Sequence, residues 1–149
     1  MIEVEIDDDA WLVALPDAQA RVEAAASLAL EDAGVLTVGL ADDDTVADLN
    51  QRFRGKAGPT NVLSFPAAES ARPFLGDVIL ALGVCAREAE EQGKSLGDHL
   101  QHLVVHGVLH LRGHDHIDPD EAEVMEARER TILAELGVKD PYAFRDEPD

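Results

Sequence analysis

The sequence predicts a single α+β domain, or a mixed α/β layer, over residues 1–149. Three observations predict it. Strand-like runs fall mainly in the first half and helix-like runs dominate the second. The length is that of one ordinary domain, with no internal repeat and no stretch that reads as a linker. Apolar residues make up 46% and charged residues 29%, enough to build a core and too apolar for a disordered chain.

The elements follow in order. Residues 2–6, IEVEI, alternate apolar and acidic with period two and read as a half-buried strand ended by Asp7–Asp9. Pro16 and Asp17 open a helix that carries Val22, Ala25, Ala26, Ala29 and Ala33 at helical spacing, with Gly34 as its stop. Residues 35–40 read as a second strand. Asp42–Asp44 offer an N-cap for a helix over 45–53, closed at Gly55. After the turn-rich GKAGPT, residues 61–65 form a third strand stopped by Pro66, and 75–81 a fourth, interrupted by Asp77. Helices are expected over 84–92, over 95–111 with Gly113 at its end, and over 119–136. The last has Asp118 as cap, Pro119 at its first position and Gly137 as stop. From about 138 to 149 the chain reads as a polar, partly disordered tail.

Composition excludes several classes. The single cysteine, Cys85, forms no intrachain disulfide and builds no thiolate zinc cage; it reads as a core residue. The longest apolar run, 78–86, has 9 residues, far below the ~20 that span a bilayer. The start, MIEVEIDDDA, is acidic and lacks the apolar core of a signal peptide, so a cytoplasmic setting with no membrane partner is expected. A net charge of -19 argues against broad electrostatic binding to nucleic acid.

The histidines concentrate the chemistry. All six (His99, His102, His106, His110, His114 and His116) lie between positions 99 and 116. His102, His106 and His110 are spaced i, i+4, i+8 on one predicted helix, so neighbours lie one turn apart on one face. Positions 102 and 110 are ~12 Å apart along the axis. Zinc–nitrogen bonds are ~2.0–2.1 Å, so a shared ion needs one adjacent pair and a third ligand from elsewhere; the alternative to a metal site is a pH switch or a structural cluster. A reversal at Gly113 would return His114 or His116 to the helix face. His106, His110, Gly113 and His116 give H-x3-H-x2-G-x2-H, the ligand spacing of a metzincin site. Asp115 beside it either orients an imidazole or caps the turn. The metallopeptidase's glutamate base after the first histidine is here Gly107.

The segment HGVLHLRGHDH, 106–116, resembles the signature of the YbeY family of bacterial endoribonucleases. LNQRFRGKAGPTNVLSFP, 49–66, and LGDVIL, 75–80, are similar to two further blocks of that family, in the same order. The resemblance implies a mixed four-stranded sheet with packed helices. It implies one zinc ion per chain on His106, His110 and His116, with the functional arginine at Arg54. The implied activity is metal-dependent cleavage of single-stranded RNA, in maturation of the 3′ end of 16S ribosomal RNA and in ribosome quality control. The implied partners are single-stranded RNA and the small ribosomal subunit with its proteins; no DNA is expected. Ala57 and Gly58 stand where many members carry charge, so a ribosomal protein is expected to supply part of the affinity.

Arg52, Arg54 and Lys56 are the densest basic cluster of the chain. Arg54 is either a phosphate ligand, as the family implies, or a cation at a helix C-terminus; Arg52 and Lys56 are candidate substrate contacts. His114 reads as a general acid or base, or as a packing or substrate contact. Asp77 is either an orienting group near the metal helix or a structural turn residue. A peptidase-like hydrolase and a non-catalytic ribosome-assembly factor remain as alternatives.

Overall fold

The alternation of residues 2–6 is realised in β1 (Ile2–Ile6), where Ile2, Val4 and Ile6 turn inward and Glu3 and Glu5 face solvent. The structure is a computed structural model and describes residues 1–31, 33–114 and 118–142. The other strands are β2 (Val35–Ala41), β3 (Val62–Pro66) and β4 (Phe74–Ala81). β1 pairs with β2 and β2 with β4 in parallel, while β3 runs antiparallel to β4 at the edge. The order β1-β2-β4-β3 is a mixed four-stranded sheet, as the family resemblance implies.

The helices are α1 (Ala10–Ala14), α2 (Ala18–Leu30), α3 (Asp43–Arg54), α4 (Leu82–Glu91), α5 (Leu96–Leu111) and α6 (Pro119–Glu135). Leu36, Val38 and Leu40 of β2 and Val78 and Leu80 of β4 are fully buried in the main core. That core is shared with Val22, Ala25, Ala26 and Ala29 of α2 and with Leu100, Val104 and Val108 of α5. The alanines of α2 let it lie close against α5. α6 packs outside these two helices through Met125, Ile132 and Leu133. A smaller cluster on the other sheet face joins Val46 of α3 to Ala41, Leu63 and Ala81.

Capping chemistry places the helix ends. Asp42 accepts from the Thr45 amide at 2.7 Å, Ser95 from Asp98 at 3.1 Å and Asp118 from Asp120 at 2.8 Å. α5 ends in a Schellman turn. The amide of Gly113, at φ +97, donates to His110 O, and that of His114 to Leu109 O, both at 3.0 Å.

Four expectations are corrected. α1 was not foreseen, because five residues carry no readable period; it is anchored by the buried Trp11, whose indole donates to Ala41 O at 2.8 Å. α2 stops at Leu30 rather than running to Gly34, with Glu31 at φ 55. Pro66 ends β3 from within, opposite Gly76, a place an edge strand allows a residue without an N–H. The expected tail begins later than 138: Val138 is buried in the core and Tyr142 packs against α5, while residues 143–149 lie outside the described residues.

Candidate active site

α5 presents a polar stripe between two apolar flanks. Leu103, Val104, Val105, Val108 and Leu109 are buried, whereas His102, His106 and His110 repeat every fourth residue on a half-buried face. That face and the edge strand β3 wall a cleft of about 570 Å3. His102, His106 and His110 line one side; Val62, Ser64 and Pro66 of β3 line the other; Arg54 and Tyr142 complete it. Among the described residues no aspartate or glutamate lines this cleft.

Within the stripe the His106 and His110 rings approach most closely, at 4.8 Å between centroids, against 6.4 Å for His102 and His106. His106 Nδ1 lies 2.6 Å from Oε1 of Glu129, a fully buried side chain on α6. Burial pushes the Glu129 carboxyl upward, but the hydrogen bonds from His106 and Tyr142 outweigh it and hold the group below its ordinary pKa. An ionised carboxylate only accepts, so Nδ1 carries the hydrogen and the lone pair that could hold a metal is on Nε2. The Tyr142 hydroxyl donates to the other oxygen of Glu129. His102 is tied into the same cluster, with Nε2 3.4 Å from the Tyr142 hydroxyl and 3.8 Å from Glu129. Burial pushes its pKa down to about 4, so this ring is neutral at physiological pH.

The residues present suit zinc in their donor chemistry: two imidazoles one turn apart, one of them backed by a buried carboxylate. Among the described residues no three metal-binding side chains converge. His116, the third expected ligand, and Asp115, the expected orienting carboxylate, lie outside the described residues.

Of the basic candidates, Arg54 lines the cleft. Arg52 does not; it pairs with Asp48 at 3.4 Å and stands 5.5 Å over the Phe53 ring. Lys56 is exposed in the following loop and is not among the cleft residues. Asn50 ties that loop down by donating to Gly58 O at 2.9 Å. Asn61, directly before β3 and in the cleft lining, donates to Glu88 at 3.1 Å, which also meets His99 Nε2 at 2.9 Å, so the start of β3, α4 and α5 are joined.

His114 is not among the residues that line the cleft with His106 and His110. Gly113 and His114 line a separate shallow pocket with Asp120, Glu121 and Val124, and burial, then Arg112 and Arg128, lower the His114 pKa. Asp77 faces away from α5. Its neighbour Val78 packs under Gly107, and Asp77 itself accepts from the Thr37 hydroxyl on the α3 face of the sheet. Asp77 therefore stands within β4 rather than in a turn, on the sheet face opposite the histidine helix. Ser64 donates to Gly107 O at 3.3 Å. Cys85 is fully buried, as expected of a core residue.

Gly107 has a steric role. A Cβ there would stand 2.7 Å from Val78 Cγ1 and 3.2 Å from Ser64 Oγ. The position that holds a peptidase's glutamate points here into the sheet, so this helix has no room for that base.

Glu129 and Tyr142 are the functional candidates that sequence reasoning missed. The available signal for Glu129 was its place in an apolar stripe: Met125, Glu129 and Leu133 recur at i, i+4, i+8, and all three are buried.

The family described as Endoribonuclease YbeY matches residues 5–137. The Endoribonuclease YbeY of Paramagnetospirillum magneticum is 52% identical over 155 aligned positions, covering 95% of this chain and 94% of that protein. That of Maricaulis maris is 51% identical, covering 97% and 93%. The solution structure of TM1509 from Thermotoga maritima shares the fold, with a TM-score of 0.59 at 24% identity over 100% of this chain and 97% of that one. The chain belongs to the YbeY family of endoribonucleases.

Proposed function

We propose that this endoribonuclease is metal-dependent and cuts single-stranded RNA in the cleft between α5 and β3, with zinc held by His106, His110 and His116. The observation that carries this reading is the meeting of Arg54 and the His106–His110 pair in one cleft free of carboxylates among its described residues. Arginine offers a planar fork that matches two phosphate oxygens, and none of the described residues lining the cleft is a carboxylate that would repel an RNA backbone. His106 and His110 would hold zinc, which when bound would supply a Lewis acid for charge building on a phosphoryl oxygen. Glu129 holds the His106 ring in one tautomer and one orientation, and Arg54 holds the phosphate.

Maturation of the 16S ribosomal RNA 3′ end and ribosome quality control, in the cytoplasm, are the roles proposed for this activity. A net charge of -19 leaves little long-range attraction for RNA, so a basic protein of the small ribosomal subunit supplies part of the affinity. The peptidase alternative is opposed by Gly107, whose surroundings leave no space for a glutamate. The experiment is cleavage of single-stranded RNA by the purified chain with chelator and after zinc is restored. Loss and recovery of cleavage support the reading; cleavage unchanged by chelator refutes it.

A further inference from the structure

Phe53 is the most exposed aromatic side chain among the described residues, at 64% of its surface. It occupies the penultimate position of α3, directly before the cleft residue Arg54. Its ring is not loose. Phe65 of β3 meets it in a T-shaped contact at 5.7 Å, and the Arg52 guanidinium stands 5.5 Å from its centroid. The other large exposed apolar residues, Met1, Leu12, Val13 and Val124, have no lysine or arginine beside them in the chain. Phe53 alone sits between two arginines, with Lys56 three positions on, in a chain with only 12 basic residues against 31 acidic ones.

A largely exposed aromatic ring flanked by two arginines in the chain matches one ligand chemistry: an unpaired nucleobase joined to phosphate. A base in a single strand offers its π face, whereas a base in a duplex already spends both faces on its neighbours. Consecutive Cα atoms are about 3.8 Å apart, and successive helical side chains diverge by about 100°. Phe53 therefore leans over the rim of β3 towards Phe65 while Arg54 turns into the cleft. A strand crossing that rim meets both residues with one nucleotide and its phosphate.

We propose that Phe53 is a base-stacking platform at the mouth of the cleft, taking an unpaired base beside the phosphate held by Arg54, and that it contributes to selection of single strands over duplex. The inference rests on the ribonuclease reading above.

The test uses the full-length protein and Phe53→Trp as a reporter. Trp11, the only native tryptophan, is fully buried and hydrogen-bonded, so its emission is a constant background. With chelator present to prevent cleavage, single-stranded oligoadenylate should quench the introduced tryptophan, and duplex RNA of equal length should not. Phe53→Ala should raise KM for single-stranded RNA about fivefold or more with kcat little changed, on the scale of base–aromatic stacking. Phe53→Leu, which keeps an apolar contact to Phe65 but has no π face, should resemble Phe53→Ala, and Phe53→Trp should restore the native KM. If RNA is bound and cleaved while the introduced tryptophan is not quenched, or if Phe53→Leu restores KM, the platform is refuted, the ribonuclease reading stands, and the ring is a packing or protein-contact residue. If no variant binds or cleaves RNA, both readings fall.

Discussion

The His106 ring on α5 and the Glu129 carboxylate on α6 meet at 2.6 Å, 23 residues apart in the chain. The carboxylate is fully buried and is held from its other side by the Tyr142 hydroxyl. Glu129 thus orients one expected ligand, and α6 and the segment ending at Tyr142 become part of the site.

Glu129→Gln should weaken zinc binding about 10–100-fold, the usual effect of losing a carboxylate behind a metal-bound histidine. Competition with a chromogenic chelator measures it. Glutamine keeps an acceptor oxygen but loses the charge that favours an Nδ1–H donor. Unchanged zinc affinity would show that Glu129 only packs.

Gly107→Ala should destabilise the fold by about 1–3 kcal/mol, because its Cβ would stand 2.7 Å from the fully buried Val78. For a domain of this size that is a fall in Tm of very roughly 3–10 °C by thermal denaturation. Gly107→Glu should be worse and should not create a peptidase. A Gly107→Ala protein as stable as the parent would mean that α5 moves freely over β4.

Arg54→Ala should leave folding and metal content near native and lower cleavage of single-stranded RNA at least tenfold; loss of a charged phosphate contact is worth on the order of 1.5–3 kcal/mol. Arg54→Lys should recover part of the activity, since it keeps the charge without the fork. Native cleavage rates in Arg54→Ala would leave Arg54 as a helix-terminal cation only.

Cys85 should be inert to thiol reagents at pH 8 in the folded protein and reactive on denaturation. Burial, then the nearby Glu88 and Asp43, push its thiol up to about 12, and the reactive thiolate is scarce below that pH. Labelling followed by mass spectrometry checks this; rapid labelling of native protein would show that α4 opens.

Much of the fold is readable in the sequence because it is local. Period-two alternation marks β1, and side-chain caps at Asp42, Ser95 and Asp118 mark the starts of three helices. The i, i+4 spacing on α5 and the turn at Gly113 single out His106 and His110 as a pair, and the structure makes that pair the closest in the stripe. What the sequence hides depends on contacts across the fold. Glu129 reads as one more charge on an acidic helix until α6 is docked on α5. Tyr142 reads as tail until it meets Glu129 and His102. Asp77 has two possible faces in the sequence because strand parity alone does not say which face carries α5; the pairing of Val78 with Ser64 under Gly107 decides it.

The most direct test of the central claim is a side-by-side assay of metal-loaded native protein and His110→Ala on single-stranded RNA, duplex RNA and casein, with metal content measured on the same samples. The account predicts about one zinc per native chain, cleavage of single-stranded RNA alone, and loss of both zinc and cleavage in His110→Ala. RNA cleavage that survives in a metal-free His110→Ala protein, or metal-dependent digestion of casein by the native chain, would contradict it.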